Sequence, residues 1–188
     1  MRPIAVAQVV ALAALSVPIA WISRASLRRP GTHGFYRFFA WEAILGLVVL
    51  HVRTWFRDPF SRHQVVSWAL LMASFVPLVL GVRALRAHGN QATSRQDDAD
   101  LLAFEKTTTL VDTGIYRYIR HPLYSSLLWL AWGLFFKAPS RLGGLLVVAA
   151  TAALVATAKA DEAECMDYFG PAYRDYMTST KRFVPLLF

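Results

Sequence analysis

Arg120 and His121 stand side by side in "GIYRYIRHPLYSSLL", with Tyr116, Tyr118 and Tyr124 around them, and an apolar run begins directly after them. About 40 residues further on, "KADEAECMDYFGPAYRDYM" supplies Asp161, Glu162 and Glu164. Arginine can hold a carboxylate or phosphate through paired N–H groups, and the carboxylates can hold an ammonium group or accept from hydroxyls. Pro122 suits the first turn of a helix, so His121 falls at a helix start, where unpaired backbone N–H groups favour an anion. Cations on one segment and acids on the other fit a zwitterionic ligand. The plainer alternative is that the arginines and tyrosines anchor a membrane interface and the acids form a solvated helix face.

The elements that must position these residues are apolar. The chain has 188 residues, of which 56% are hydrophobic and 17% charged, a balance that puts the membrane class before the soluble one. Its net charge of +8 comes from basic residues in short clusters between apolar runs, the distribution of membrane-flanking charge rather than of a nucleic-acid surface. Five apolar spans are predicted, at residues 4–22, 38–52, 65–82, 123–136 and 142–158. A crossing helix needs about 20 residues, so the first three qualify with a few flanking residues. The last two are shorter and read as a helical hairpin around residues 137–141, with ends that extend past the apolar core. The first run exceeds the about 7–15 residues of a signal-peptide core and reads as a retained span. Pro18 and Pro77 are expected to kink their helices.

The predicted fold class is all-α: a polytopic integral membrane protein of about five transmembrane helices with a C-terminal cytoplasmic cap. Of the 20 Lys and Arg residues, 14 fall in residues 24–37, 83–120 and 159–182. The positive-inside rule then places the N-terminus outside and the C-terminus in the cytoplasm. The predicted organisation is one membrane domain over residues 1–188, with a three-span region at 1–106 and a site-bearing core at 107–188. The polar stretch at residues 89–100 reads as a mobile loop. Gly114 reads as a turn, and the fifth span is expected to continue out of the membrane, end at Gly170 and restart at Pro171. Cys165 stands alone and the five histidines are dispersed, so neither a disulfide framework nor a metal-ligand cluster is predicted. Glu42 lies inside the second span, and an ionisable group there is a functional candidate by default, here for a cationic head group. A structural pairing explains it equally well.

"LVDTGIYRYIRHPLY" closely resembles the L-V-x-x-G-x-Y-x-x-x-R-H-P-x-Y signature of the isoprenylcysteine carboxyl methyltransferase family and its phospholipid methyltransferase relatives. "DEAECMDYFGPAYRDYM" is similar to that family's closing pattern of adjacent acids followed by F-G-x-x-Y-x-x-Y, with Pro185 as the nearby proline. Together they cover residues 110–185, about 40% of the chain. The resemblance implies a membrane enzyme that takes S-adenosylmethionine at the cytoplasmic face and methylates a lipid-like amphiphile entering from the bilayer. By position, Arg120, His121, Pro122 and Tyr124 match the cofactor-binding segment, Tyr116 is a further wall, and Glu162 matches the family's functional glutamate. Glu162 and Arg120 are thus the expected catalytic pair.

One position departs from the pattern. The prenylcysteine enzymes carry an arginine five residues before that glutamate, where this chain has Thr157. Lys159 is roughly 200° around the helix from it and does not replace it. Carboxyl methylation of an isoprenyl or prenylcysteine-type substrate therefore competes with N-methylation of a phospholipid amine. A membrane reductase using NADPH and a non-catalytic membrane protein are the remaining alternatives. Arginine outnumbers lysine 16 to 4, which is compatible with a bacterial source and hence with a plasma membrane.

Overall fold

The computed structural model describes residues 6–90 and 106–185. Most of the polar stretch predicted as a loop lies outside them. Six α-helices organise the described residues: α1 (Val6–Ile22), α2 (His33–His51), α3 (Arg62–His88), α4 (Pro122–Phe135), α5 (Arg141–Phe169) and α6 (Pro171–Ser179). No extended sheet occurs among these residues, only an isolated parallel bridge between Ile119 and Lys181.

Local chemistry sets the helix ends. The Thr32 hydroxyl accepts from the Phe35 amide at the start of α2, and the Ser140 hydroxyl accepts from the Gly143 amide at the start of α5, each satisfying an orphan N–H of the first turn. Pro122 and Pro171 occupy first-turn positions, where a missing N–H costs nothing. Gly170 has φ 62° and closes α5, a conformation that a side chain would resist. The chain therefore turns there, and α6 folds back towards the connection that leads into the start of α4.

α3 packs along α4 and α2 along α5, while α1 rests on α2. The shared core of α2 to α5 is built from Ala43, Ile44, Leu47, Leu71, Ala131, Leu134, Val147 and Ala150. Small residues let these backbones approach where lipid offers no hydrophobic drive between helices. At Gly133, an added Cβ would lie 3.0 Å from the Leu71 side chain, and the Ser67 hydroxyl donates to the Gly133 carbonyl at 2.7 Å. Large apolar side chains of α1 and α3, among them Val10, Val17, Met72, Phe75 and Val76, face outward, as a lipid-facing surface requires.

α2, α3 and α5 are long and apolar enough to cross a membrane. α1 and α4, with 17 and 14 residues, are shorter apolar helices. At 1.5 Å per residue, α4 extends about 21 Å against a hydrocarbon core of about 30 Å. In its flanks Ile119, His121 and Lys137 are buried, while Arg117 and Tyr118 are exposed. α5 behaves as the sequence predicts, running well past its apolar stretch to carry Asp161 and Glu162. Pro18 and Pro77 both lie inside continuous helices.

The end of the bundle remote from Arg120 holds an unusual cation. Lys137, in the α4–α5 connection, is fully buried. Its ammonium donates to Gln64 Oε1 at 3.0 Å and sits 3.5 Å from the centre of the Trp68 ring, with Trp55 at 5.3 Å. Gln64 in turn donates to the carbonyls of Thr54 and Lys137. One knot thus ties the end of α2, the start of α3 and the hairpin turn together.

Candidate cofactor site

Arg120 and His121 occupy a short connection between a turn that begins at Gly114, with φ 61°, and the start of α4. A C-terminal strap, residues 180–185, pairs with this connection. The Arg120 amide donates to the Lys181 carbonyl at 2.8 Å, the His121 amide to the Arg182 carbonyl at 3.1 Å, and the Lys181 amide to the Tyr118 carbonyl at 3.1 Å. The Ser125 hydroxyl reaches the carbonyls of both His121 and Phe183. Beneath the strap, Phe183 packs with Ala40, Tyr124, Leu154 and Ala158. Backbone pairing and apolar burial together fix where the Arg120 and His121 side chains begin.

Glu162 fixes where they end. Its Oε1 accepts from Arg120 Nε at 2.9 Å, from Arg182 Nε at 3.0 Å and lies 3.2 Å from His121 Nε2; its Oε2 accepts from Arg182 Nη2 at 2.6 Å. His121 Nδ1 lies 3.4 Å from Asp161, and the His121 ring stacks on Tyr124 with centroids 5.3 Å apart. Arg120 Nη1 donates to the carbonyls of Met177 and Thr180. Its Nη2 has no partner among the described residues. Burial of His121 pulls its pKa down, but Asp161 and Glu162 outweigh this and hold it above the ordinary histidine value.

A pocket of about 110 Å³ opens beside this cluster. Tyr116, Arg120, His121, Pro122 and Tyr124, all predicted from sequence, line it. Glu162 does not: its carboxylate is turned into the three cationic side chains. The acids on the pocket wall are Asp161 and Glu164, and Glu164 also accepts from the backbone amide of His33 at 2.8 Å and bonds the His33 ring. Glu42 is not brought to the pocket. It accepts from Ser16 of α1 at 2.6 Å, and its Oε1 is buried without a hydrogen-bond partner among the described residues.

Sequence reasoning gave Arg182 and Phe183 no role at the site and read Tyr173 only as part of the F-G-x-x-Y-x-x-Y pattern. Arg182 is separated from Glu162 by a helix end, a second helix and a turn, so no periodicity links them. The only signal was its place just before Pro185. Asp161, adjacent to Glu162 in the sequence, was visible as an acid but not as the member of that pair that faces the pocket. On α5 the two point about 100° apart, which is why neighbouring acids serve different partners.

Fold and site define an all-α integral membrane protein with a pocket of mixed charge at one end of its bundle. The phospholipid methyltransferase family model matches residues 68–170, which takes in most of α3, the Arg120–His121 connection, α4 and the whole of α5. The chain belongs to the phospholipid methyltransferase family, and is a membrane methyltransferase acting on a lipid-like substrate. No curated protein and no solved structure matches it.

Proposed function

We propose that the pocket binds S-adenosylmethionine and that the chain methylates the amine head group of a lipid-like amphiphile. The observation that carries the reading is the meeting of Arg120 and His121 with Asp161 across one pocket wall. The residues suit the amino-acid end of this cofactor. Arg120 retains free N–H capacity for its carboxylate, Asp161 and Glu164 complement its ammonium, and Tyr116, Val111 and Phe169 offer an apolar wall for its adenosine. When bound, S-adenosylmethionine supplies an electrophilic methyl group on a sulfonium.

The residues of this chain align, shield and handle a proton. Leu85, Leu123 and Val111 exclude water from one side of the pocket, which strengthens the electrostatics within it. Arg120, Asp161 and Glu164 would hold the cofactor, which supplies its methyl group to the acceptor nitrogen and is left as a neutral thioether. The nitrogen's surplus proton passes to a pocket carboxylate, for which Asp161 is placed. Glu162 acts through Arg120 and His121, as a positioning residue.

Charge favours an amine over a carboxylate acceptor. Thr157 is fully buried and its hydroxyl bonds the Ala153 carbonyl, while Lys159 is exposed. Arg120, His121 and Arg182 already share Glu162, and the pocket wall carries carboxylates. An incoming carboxylate would meet like charge. Carboxyl methylation of an isoprenyl or prenylcysteine-type acceptor is the second reading, favoured by the resemblance of the R-H-P and F-G segments.

Orientation by the positive-inside rule puts the pocket at the cytoplasmic face, and arginine usage fits a bacterial plasma membrane. Binding of S-adenosylhomocysteine to the purified protein in nanodiscs tests the cofactor assignment. Arg120→Ala and His121→Ala are expected to weaken it about 10- to 100-fold, the scale of a charged hydrogen bond, and Glu162→Gln to weaken it by releasing both. Unchanged affinity in all three rejects the site. Labelled S-adenosylmethionine offered with phosphatidylethanolamine or with a prenylcysteine then decides the acceptor.

A further inference from the structure

Asp161, Cys165 and Phe169 recur every fourth residue on α5 and so share one face, and all three line the pocket. The Cys165 thiol contacts Asp161 Oδ1 at 3.7 Å. Tyr173 of α6 extends the stripe, its ring stacked on Phe169 with centroids 6.4 Å apart and an interplanar angle of 21°. The wall thus runs from carboxylate to thiol to ring to phenol.

Two tyrosines on α6 border the pocket, and they are used differently. The Tyr176 hydroxyl donates to the Tyr116 carbonyl at 2.7 Å, binding α6 to the connection that carries Arg120. Tyr173 is 4% exposed, yet its hydroxyl has no hydrogen-bond partner among the described residues. Among the described residues the buried side-chain polar atoms without a partner are Glu42 Oε1 and His51 Nε2, so the Tyr173 hydroxyl keeps accessible surface where a ligand can complete it. Its surroundings indicate which kind. Burial first, then Cys165, Asp161, Glu162 and Tyr176, push the phenol above its ordinary pKa, so it stays neutral and keeps its lone pairs available for a donor. Two aromatic faces and a nearby carboxylate complete a set suited to an organic cation.

From this geometry we infer that the Tyr173 hydroxyl, with Asp161 and the Phe169 ring, receives an alkylammonium group bound in the pocket. The inference rests on the methyltransferase reading above and deepens it. The alkylammonium has two possible sources, the α-ammonium of the cofactor and the amine of the lipid acceptor, and they share this chemistry.

The experiment compares the parent with Tyr173→Phe and Tyr176→Phe in nanodiscs. Three quantities are measured: melting temperature, affinity for S-adenosylhomocysteine and its deaminated analogue, and KM for phosphatidylethanolamine. Tyr173→Phe is expected to melt with the parent, because no internal hydrogen bond is lost, whereas Tyr176→Phe melts lower. If the ammonium is the cofactor's, Tyr173→Phe weakens S-adenosylhomocysteine about fivefold to tenfold and leaves the deaminated analogue unaffected. If it is the acceptor's, the cofactor affinities hold and KM for the lipid rises by a similar factor. Either result supports the assignment. It is overturned if neither quantity moves, or if both ligands of the first pair weaken equally with a fall in melting temperature. Failure of the parent itself to bind S-adenosylhomocysteine is a separate result, which removes the methyltransferase site and this inference with it.

Discussion

Burial alone would strip the proton from His121, yet the carboxylates of Asp161 and Glu162 hold its pKa above the ordinary histidine value. A group whose folded pKa exceeds its unfolded one stabilises fully below the unfolded value, about 6.5, and that contribution is lost as pH rises through the folded value. The parent is therefore expected to melt above His121→Gln at pH 6, with the gap narrowing steadily above about pH 6.5. Thermal unfolding across pH 5.5 to 9 checks this, and a gap that widens with pH contradicts it. At this scale Arg120, His121, Pro122, Tyr116 and Tyr124, named from the sequence as cofactor-binding, line the pocket. It did not separate Asp161 from Glu162, because the choice depends on which acid the strap arginine reaches, and Arg182 arrives through backbone pairing at Ile119–Lys181.

The helices owe their register to a few polar fasteners at each end. Lys137 is the clearest, since it is buried with the Trp68 face and Gln64 as its partners. Lys137→Ala removes a desolvated cation–π contact and leaves Gln64 short of a donor, so it is expected to destabilise the fold by about 2–4 kcal/mol, read as a lower melting temperature. Lys137→Met, which keeps the bulk, should recover part of the loss. Gly133→Val tests the opposite failing, excess volume. Its side chain would meet Leu71, prising α3 from α4 at a cost of about 1–3 kcal/mol. The apolar runs marked α1 to α5, with α3 and α5 continuing well past their apolar stretches. The length of α5 past its apolar run was readable from "KADEAEC" because nothing in it breaks a helix before Gly170. The shortness of α4 was equally visible, but not what shelters its ends.

Across the whole molecule the two ends of the bundle differ in role. One end carries the pocket, formed where the Arg120–His121 connection, α5, α6 and the strap converge. The other carries the Lys137 knot. If the positive-inside orientation holds, a cysteine placed at Phe60 in a Cys165→Ser background reacts with an impermeant maleimide added outside intact cells, and one placed at Tyr168 reacts only after permeabilisation. Both positions are exposed. The reverse pattern inverts the orientation and moves the pocket to the other face.

Composition and spacing by themselves determined that the chain is a bundle of membrane helices with its chemistry at one end, since apolar length and flanking charge are local properties. The paired R-H-P and F-G segments carry the resemblance that implies methyl transfer. Only the tertiary structure decided which side chains are spent within the protein and which remain for a ligand. Glu162 turned inward because three cations converge on it, and Tyr173 kept its hydroxyl free while Tyr176 spent its own. Such allocation depends on partners far apart in the chain, and a hydrogen bond exists only where two groups meet within about 3 Å.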